Sequence, residues 1–164
     1  MFHVADERGA FSKPYSYAFG KVPFVIRELF WSASARGAVR GMHTQLPPAA
    51  AAKLVWVSYG EIVDVLVDIR CGDTYGAVQE YRLSAAQGGA LYIPAGFAHG
   101  FQALTDGAVV NYAQDHEFAP KCDAGINWRS IDHTWPLEPT VTSARDDALP
   151  SLADFDSPFE RTDS

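Results

Sequence analysis

The spacing of hydrophobic and polar residues favours strands over helices, because alternation puts every second side chain on one face of a pleated strand. In "KLVWVSYGEIVDVLVDIR", residues 53 to 70, β-branched and aromatic residues dominate, and Gly60-Glu61 interrupts the run as a turn or bulge does. That predicts two strands joined tightly. Beyond Gly60, Val63, Val65, Val67 and Ile69 share one side, while Ile62, Asp64, Leu66, Asp68 and Arg70 share the other, so one face is apolar and the other mixed. Similar short strands are predicted at 24 to 32, 78 to 83, 90 to 93 and 108 to 113, separated by "RCGDTYG", "AAQGG" and "PAGFAHG". Many short strands at regular spacing point to an all-β sandwich or jelly roll.

Helical signals are thin. "PPAAAAK" has alanines for one turn, with Pro48 at an early helical position. From Thr134 to Ser164 four prolines and many acids predict an irregular tail that wraps the domain and frays after about Phe155. The expected organisation is one domain over residues 1 to 155 and a frayed tail over 156 to 164. A length of 164 residues suits one core.

Composition narrows the function. Hydrophobic residues are 48% and charged residues 20% of the chain, the balance of a folded globule. Twenty acidic against thirteen basic residues give a net charge of −7, and no Lys/Arg cluster offers a track for nucleic acid. A small anionic ligand stays open, since a few arginines in a pocket override the global sign. Cys71 and Cys122 show neither a CxxC nor a zinc-ligand spacing and are read as reduced thiols. The charged start "MFHVADERGAF" lacks an apolar signal core and no window approaches a membrane span, which makes a cytoplasmic protein the expectation.

Five residues stand out as carriers of chemistry. His43 follows Gly41 in "VRGMHTQ" and reads either as a histidine satisfied by a neighbour or as a functional base. Lys53 opens an apolar strand and alternates with Val55, Val57 and Tyr59. Its ammonium either snorkels to water at the strand end or faces the interior, where it needs an anionic partner. Tyr112 shares a face with Val110, and His99 lies in the glycine-punctuated "YIPAGFAHGF". Asp146 in "SARDD" reads equally as part of a helix cap and as a functional carboxylate.

Together the segments "DERGAF" (6 to 11), "VRGMHTQ" (39 to 45), "KLVWVSYGEIVDVLVDIR" (53 to 70), "LSAAQGGALYIPAGFAHGF" (83 to 101), "GINW" (125 to 128) and "SARD" (143 to 146) agree in order and spacing with a known pattern. The chain resembles the dTDP-4-dehydrorhamnose 3,5-epimerases, cupin-like jelly rolls that epimerise nucleotide-linked 4-keto-6-deoxy sugars. The resemblance implies that His43 is the base, paired with Asp146. It implies that Lys53 binds near the reacting ketone and that Tyr112 is the acid on the opposite face of the sugar. Arg8, Arg40 and His99 match positions that hold diphosphate or sugar oxygens, and Phe118 matches an aromatic that stacks on the base. It further implies a homodimer, a nucleoside-diphosphate sugar as ligand and no cofactor.

The chemistry explains the set. Hydrogens on C3 and C5 of a 4-keto sugar are both α to the carbonyl, so losing either gives an enolate. A neutral histidine titrates near the operating pH, an aspartate on its far nitrogen fixes the tautomer, and inversion needs a proton from the other face. Among the departures from the family pattern, Glu28 and Phe30 stand where a glutamine and an asparagine are usual, both expected near the sugar, and Arg129 follows the tryptophan where an acidic residue is usual. The departures at Glu28 and Phe30 keep alive a different keto sugar, a non-catalytic sugar-nucleotide-binding jelly roll, and a 3,4-ketoisomerase built on the same enolate chemistry.

Overall fold

The alternation at residues 53 to 70 becomes the facing layers of a double-sheet jelly roll. The computed structural model describes residues 2–16 and 24–160. A hairpin of β1 (Phe2–Asp6) and β2 (Gly9–Lys13) precedes the roll. Its strands are β3 (Glu28–Ser34), β4 (Val39–Gln45), β5 (Lys53–Tyr59), β6 (Glu61–Asp68), β7 (Val78–Ser84), β8 (Leu91–Ile93), β9 (Phe97–Ala103), β10 (Ala108–Gln114) and β11 (Asp123–Gly125). One short helix, α1 (Ala144–Asp147), and a 3-10 turn (Leu152–Asp154) follow. One sheet runs β3-β10-β5-β8 and the other β11-β4-β9-β6-β7, all neighbours antiparallel.

The two faces of β6 meet different layers. Val63, Val65, Val67 and Ile69 are almost wholly buried against Ile126, Trp128 and Ile131, with Trp135, Leu152, Phe155 and Phe159 of the tail packed on the same cluster. The irregular tail therefore caps the outer face of the five-stranded sheet. Each such aliphatic side chain contributes about 1.5–3 kcal/mol by leaving water. The mixed face points between the sheets, where Ile62 and Leu66 join Val55, Val57, Phe101, Val110 and Tyr112. Asp64 of that same face is fully buried.

Three expectations differ from what is observed. "PPAAAAK" forms no helix: a turn closed from the Ala49 N–H to the Leu46 carbonyl (3.0 Å) leads into β5, and Ala49, Ala51 and Ala52 are buried. One turn of alanines does not repay helix nucleation, whereas the Ala52 N–H finds the Asp115 carboxylate at 2.8 Å. The strand expected from residue 24 starts at Glu28, because β10 ends its pairing at Gln114, opposite Glu28. The tail is bonded to the domain over the described residues 156–160, while 161–164 lie outside the described residues. The Cys71 N–H donates to the Phe159 carbonyl (2.8 Å), Ser157 Oγ donates to the Ile69 carbonyl, and the Tyr75 hydroxyl reaches the Leu152 and Phe155 carbonyls at 2.9 and 3.1 Å. Among the described residues no helix is long and apolar enough to cross a membrane.

Candidate active site

Registered pairing across the four-stranded sheet lays its inward side chains in rows. Gln114 lies opposite both Glu28 and Lys53, and Tyr112 opposite both Phe30 and Val55. On the other sheet His43 of β4 lies directly opposite His99 of β9. These rows face one another across a cavity of about 880 Å³, lined by Glu28, Phe30, Arg40, His43, Lys53, His99, Tyr112, Phe118 and Asp146 among others. Nine of the ten residues singled out from the sequence thus share one hollow. Arg8 is the exception: it sits on the β1–β2 hairpin, its guanidinium 2.6 Å from Asp6, and does not line the cavity of its own chain.

His43 and Asp146 meet over 103 residues of sequence, Nε2 to Oδ1 at 2.7 Å. A carboxylate only accepts, so the proton is on Nε2 and the lone pair is on Nδ1. The second oxygen, Oδ2, accepts from the Gly41 N–H at 3.1 Å. Gly41 has φ +130°, and a Cβ there would lie 2.5 Å from the Gly100 Cα, so β4 and β9 approach closely at this point because Gly41 has no side chain. Asp146 takes part in the helix cap and also contacts His43. Its own N–H donates to Ser143 Oγ at 3.0 Å, capping α1, while its carboxylate faces His43. Burial pushes the Asp146 carboxyl up, but the hydrogen bond and charge of His43, with the Gly41 N–H, outweigh it and leave the pKa below the ordinary value.

Lys53 faces the cavity rather than snorkelling outward. Surrounding protein pushes its ammonium down to about 8, partly offset by Asp123 and Asp64 and reinforced by Arg145. The side chain is partly exposed, and the space it faces is the cavity. Tyr112 is buried to 8% exposure; burial raises its phenol well above the ordinary value, Asp64 adds to the rise, and Ser32 and Arg40 act against it. The hydroxyl therefore stays protonated across the neutral range.

Several neighbours were not singled out from the sequence. Asp64 lies 2.8 Å from His99 Nε2 through Oδ2, while its Oδ1 has no hydrogen-bond partner. Burial pushes the Asp64 carboxyl up, and His99 and Lys53 draw it only partly back. Its signal was an acid between Ile62 and Leu66 on an inward-facing strand. Arg145, beside Asp146, reaches Asp123 at 2.5 Å, and both line the cavity. Gln114, two residues after Tyr112 on the same face, donates to Glu28 Oε2 at 2.7 Å, and the Phe118 N–H donates to the same oxygen at 2.9 Å. Arg40 is tied to β3 through Ser34 Oγ (2.9 Å) and the Ala33 carbonyl (3.1 Å). Among the described residues no group of three or more His, Cys, Asp or Glu side chains has the arrangement of a metal site.

The site brings a histidine with a free lone pair, an ammonium and a protonated phenol to one hollow, a set suited to moving a proton beside a developing oxyanion. Known proteins share this framework. A family model described as dTDP-4-dehydrorhamnose 3,5-epimerase matches residues 2–154. A dTDP-4-dehydrorhamnose 3,5-epimerase of Sinorhizobium fredii is 40% identical over 128 residues, 76% of this chain and 66% of that protein. A dTDP-4-dehydrorhamnose 3-epimerase of Streptomyces niveus is 35% identical over 156 residues, 88% of this chain and 74% of that protein. The crystal structure of a dTDP-6-deoxy-D-glucose-3,5-epimerase from Legionella pneumophila in complex with dTDP-4-keto-L-rhamnose superposes with a TM-score of 0.89 at 31% identity, covering 99% of this chain and 91% of that one. The match over nearly the whole jelly roll means that this chain belongs to the dTDP-4-dehydrorhamnose 3,5-epimerase family.

Proposed function

We propose that the protein is an isomerase that inverts one or both carbons flanking the ketone of a dTDP-linked 4-keto-6-deoxyhexose. The observation that carries this reading is the His43–Asp146 pair at 2.7 Å, set on the wall of the same cavity as Lys53 and Tyr112. His43 Nδ1 takes the proton from the carbon next to the ketone. The C–H electron pair moves into the ring and the carbonyl π pair onto oxygen, giving an enolate. Lys53 stands by that oxygen as a cation. Collapse of the enolate draws a proton from the Tyr112 hydroxyl on the opposite face, and water returns a proton to the phenolate as the imidazolium releases its own. Asp146 holds the Nε2–H tautomer of His43 and stabilises the imidazolium in between.

Arg40 and Arg145 supply cationic charge to the cavity for the diphosphate, and Phe118, 54% exposed, offers its ring to the nucleobase. We further propose that the protein works as a homodimer. The edge strand β3 presents Leu29 and Trp31, 63% and 67% exposed, an apolar edge of the kind that a second copy covers. A single-chain mass by light scattering would contradict that assembly.

The test of the activity is proton exchange. Incubated with dTDP-4-keto-6-deoxyglucose in deuterium oxide, the protein is expected to yield a product carrying deuterium and inverted configuration at C3, C5 or both, read by NMR. Binding of the nucleotide sugar without any exchange would favour the non-catalytic alternative, and movement of the carbonyl to C3 would favour the ketoisomerase.

A further inference from the structure

The wall of the cavity that carries Tyr112 is doubly aromatic. Phe30 on β3 is registered directly opposite Tyr112 on β10, and the two rings lie parallel, with centroids 4.6 Å apart and planes 10° apart. On its other side Tyr112 meets the edge of His99 at 6.2 Å and 69°. His99 is itself fixed by Asp64, and Tyr112 belongs to the buried cluster between the sheets with Val55, Val110 and Phe101. Phe30, by contrast, is 42% exposed and lines the cavity beside Tyr112.

We propose that Phe30 is a positioning residue that fixes the Tyr112 ring and thereby confines inversion to one of the two carbons flanking the ketone. This deepens the epimerase reading and rests on it. The two carbons are second neighbours through C4 and so lie about 2.5 Å apart. A proton donor misplaced by about 1 Å loses on the order of 10²-fold in rate. A phenol that serves both carbons therefore has to travel, unless the sugar turns between steps. Stacked parallel rings at this spacing favour one placement beyond what burial alone supplies, and the packed residues around Tyr112 restrict the remaining directions. Tyr112 consequently has one delivery point. Removing the Phe30 ring opens the cavity side and frees a second.

The experiment follows inversion at each carbon separately. With dTDP-4-keto-6-deoxyglucose in deuterium oxide, the rates at which inverted, deuterated C3 and C5 appear are measured by NMR for the wild type, Phe30→Leu and Phe30→Tyr. The wild type is expected to invert one carbon about 10²-fold faster than the other. Phe30→Leu is expected to bring that ratio below about 10, and Phe30→Tyr, which keeps a stacked ring, to preserve it. Because the readout is a ratio within one sample, loss of folded protein or of overall activity does not move it. Comparable rates at both carbons in the wild type, or an unchanged ratio in Phe30→Leu, would overturn the inference while leaving the epimerase intact. Inversion at neither carbon would instead remove the epimerase reading, and this inference with it.

Discussion

His43→Gln lowers kcat by about 10²–10⁴-fold, the range that a positioned general base contributes. Glutamine is chosen because its amide N–H can stand where His43 Nε2 does and donate to Asp146 Oδ1, so the buried carboxylate keeps a partner and the fold is spared. What the amide lacks is a basic lone pair to receive the proton from carbon. The loss therefore falls on kcat and kcat/KM together, while binding of dTDP, measured by calorimetry, changes little. Exchange of the C3 and C5 hydrogens with solvent falls by the same factor as inversion, since both need the first deprotonation. Asp146 does not set the neutral pH profile. Its pKa is depressed in the folded protein, so the stability it contributes is present above the ordinary 3.8 and is lost as the pH falls through its lower folded value.

Lys53→Met produces two changes of opposite sign. Without the cation the enolate oxygen loses its charge partner, and removal of one such donor costs about 2.7–4 kcal/mol, or about 10²–10³ in kcat. Stability moves the other way. The Lys53 pKa falls from 10.5 to about 8 on folding, chiefly because surrounding protein disfavours the charged form. Between those two values the unfolded chain holds the extra proton, so stability rises with pH there; below about 8 the full penalty of enclosing the ammonium is present. Methionine removes that penalty at neutral pH and fills the same volume. Thermal unfolding at pH 7 is expected to show a higher Tm, by about 2–4 °C for each kcal/mol recovered. A variant that loses both activity and Tm would show that the ammonium is held by its acidic neighbours more strongly than burial disfavours it. In the wild type the same titration predicts that kcat/KM falls as pH rises through about 8.

The parts of this architecture governed by local rules were legible from the residues. The period of two on β6 separated the Val63–Val65–Val67–Ile69 face from the face that carries Asp64, and both faces are buried as their composition requires. Nine proposed site residues line one cavity because each sits on the inward phase of a strand, in a segment that closes it, or at its rim. Long-range pairing was not legible without the family pattern. Nothing near Asp146 says that it meets a histidine 103 positions earlier, or that the Gly41 N–H completes its shell. Asp64 was visible as an acid on an inward face, but its importance depends on His99 standing opposite Leu66 across β6 and β9, a register that no local rule supplies. The alanine run carried a helical signal too brief to count alone, and tertiary burial of those methyl groups decided the outcome. The tail looked loose because its hydrogen bonds run to Ile69, Cys71 and Tyr75, far away in sequence.

In the proposed mechanism base and acid act from opposite faces of the sugar, and Tyr112→Phe separates the two. In deuterium oxide this variant keeps His43, so dTDP-4-keto-6-deoxyglucose should still exchange its α hydrogen and recover deuterium from the same face, giving labelled substrate of unchanged configuration. Inverted product should fall by at least about 10²-fold while exchange persists. If Tyr112→Phe inverts the sugar as fast as the wild type, the proton arrives from elsewhere and the two-face account fails.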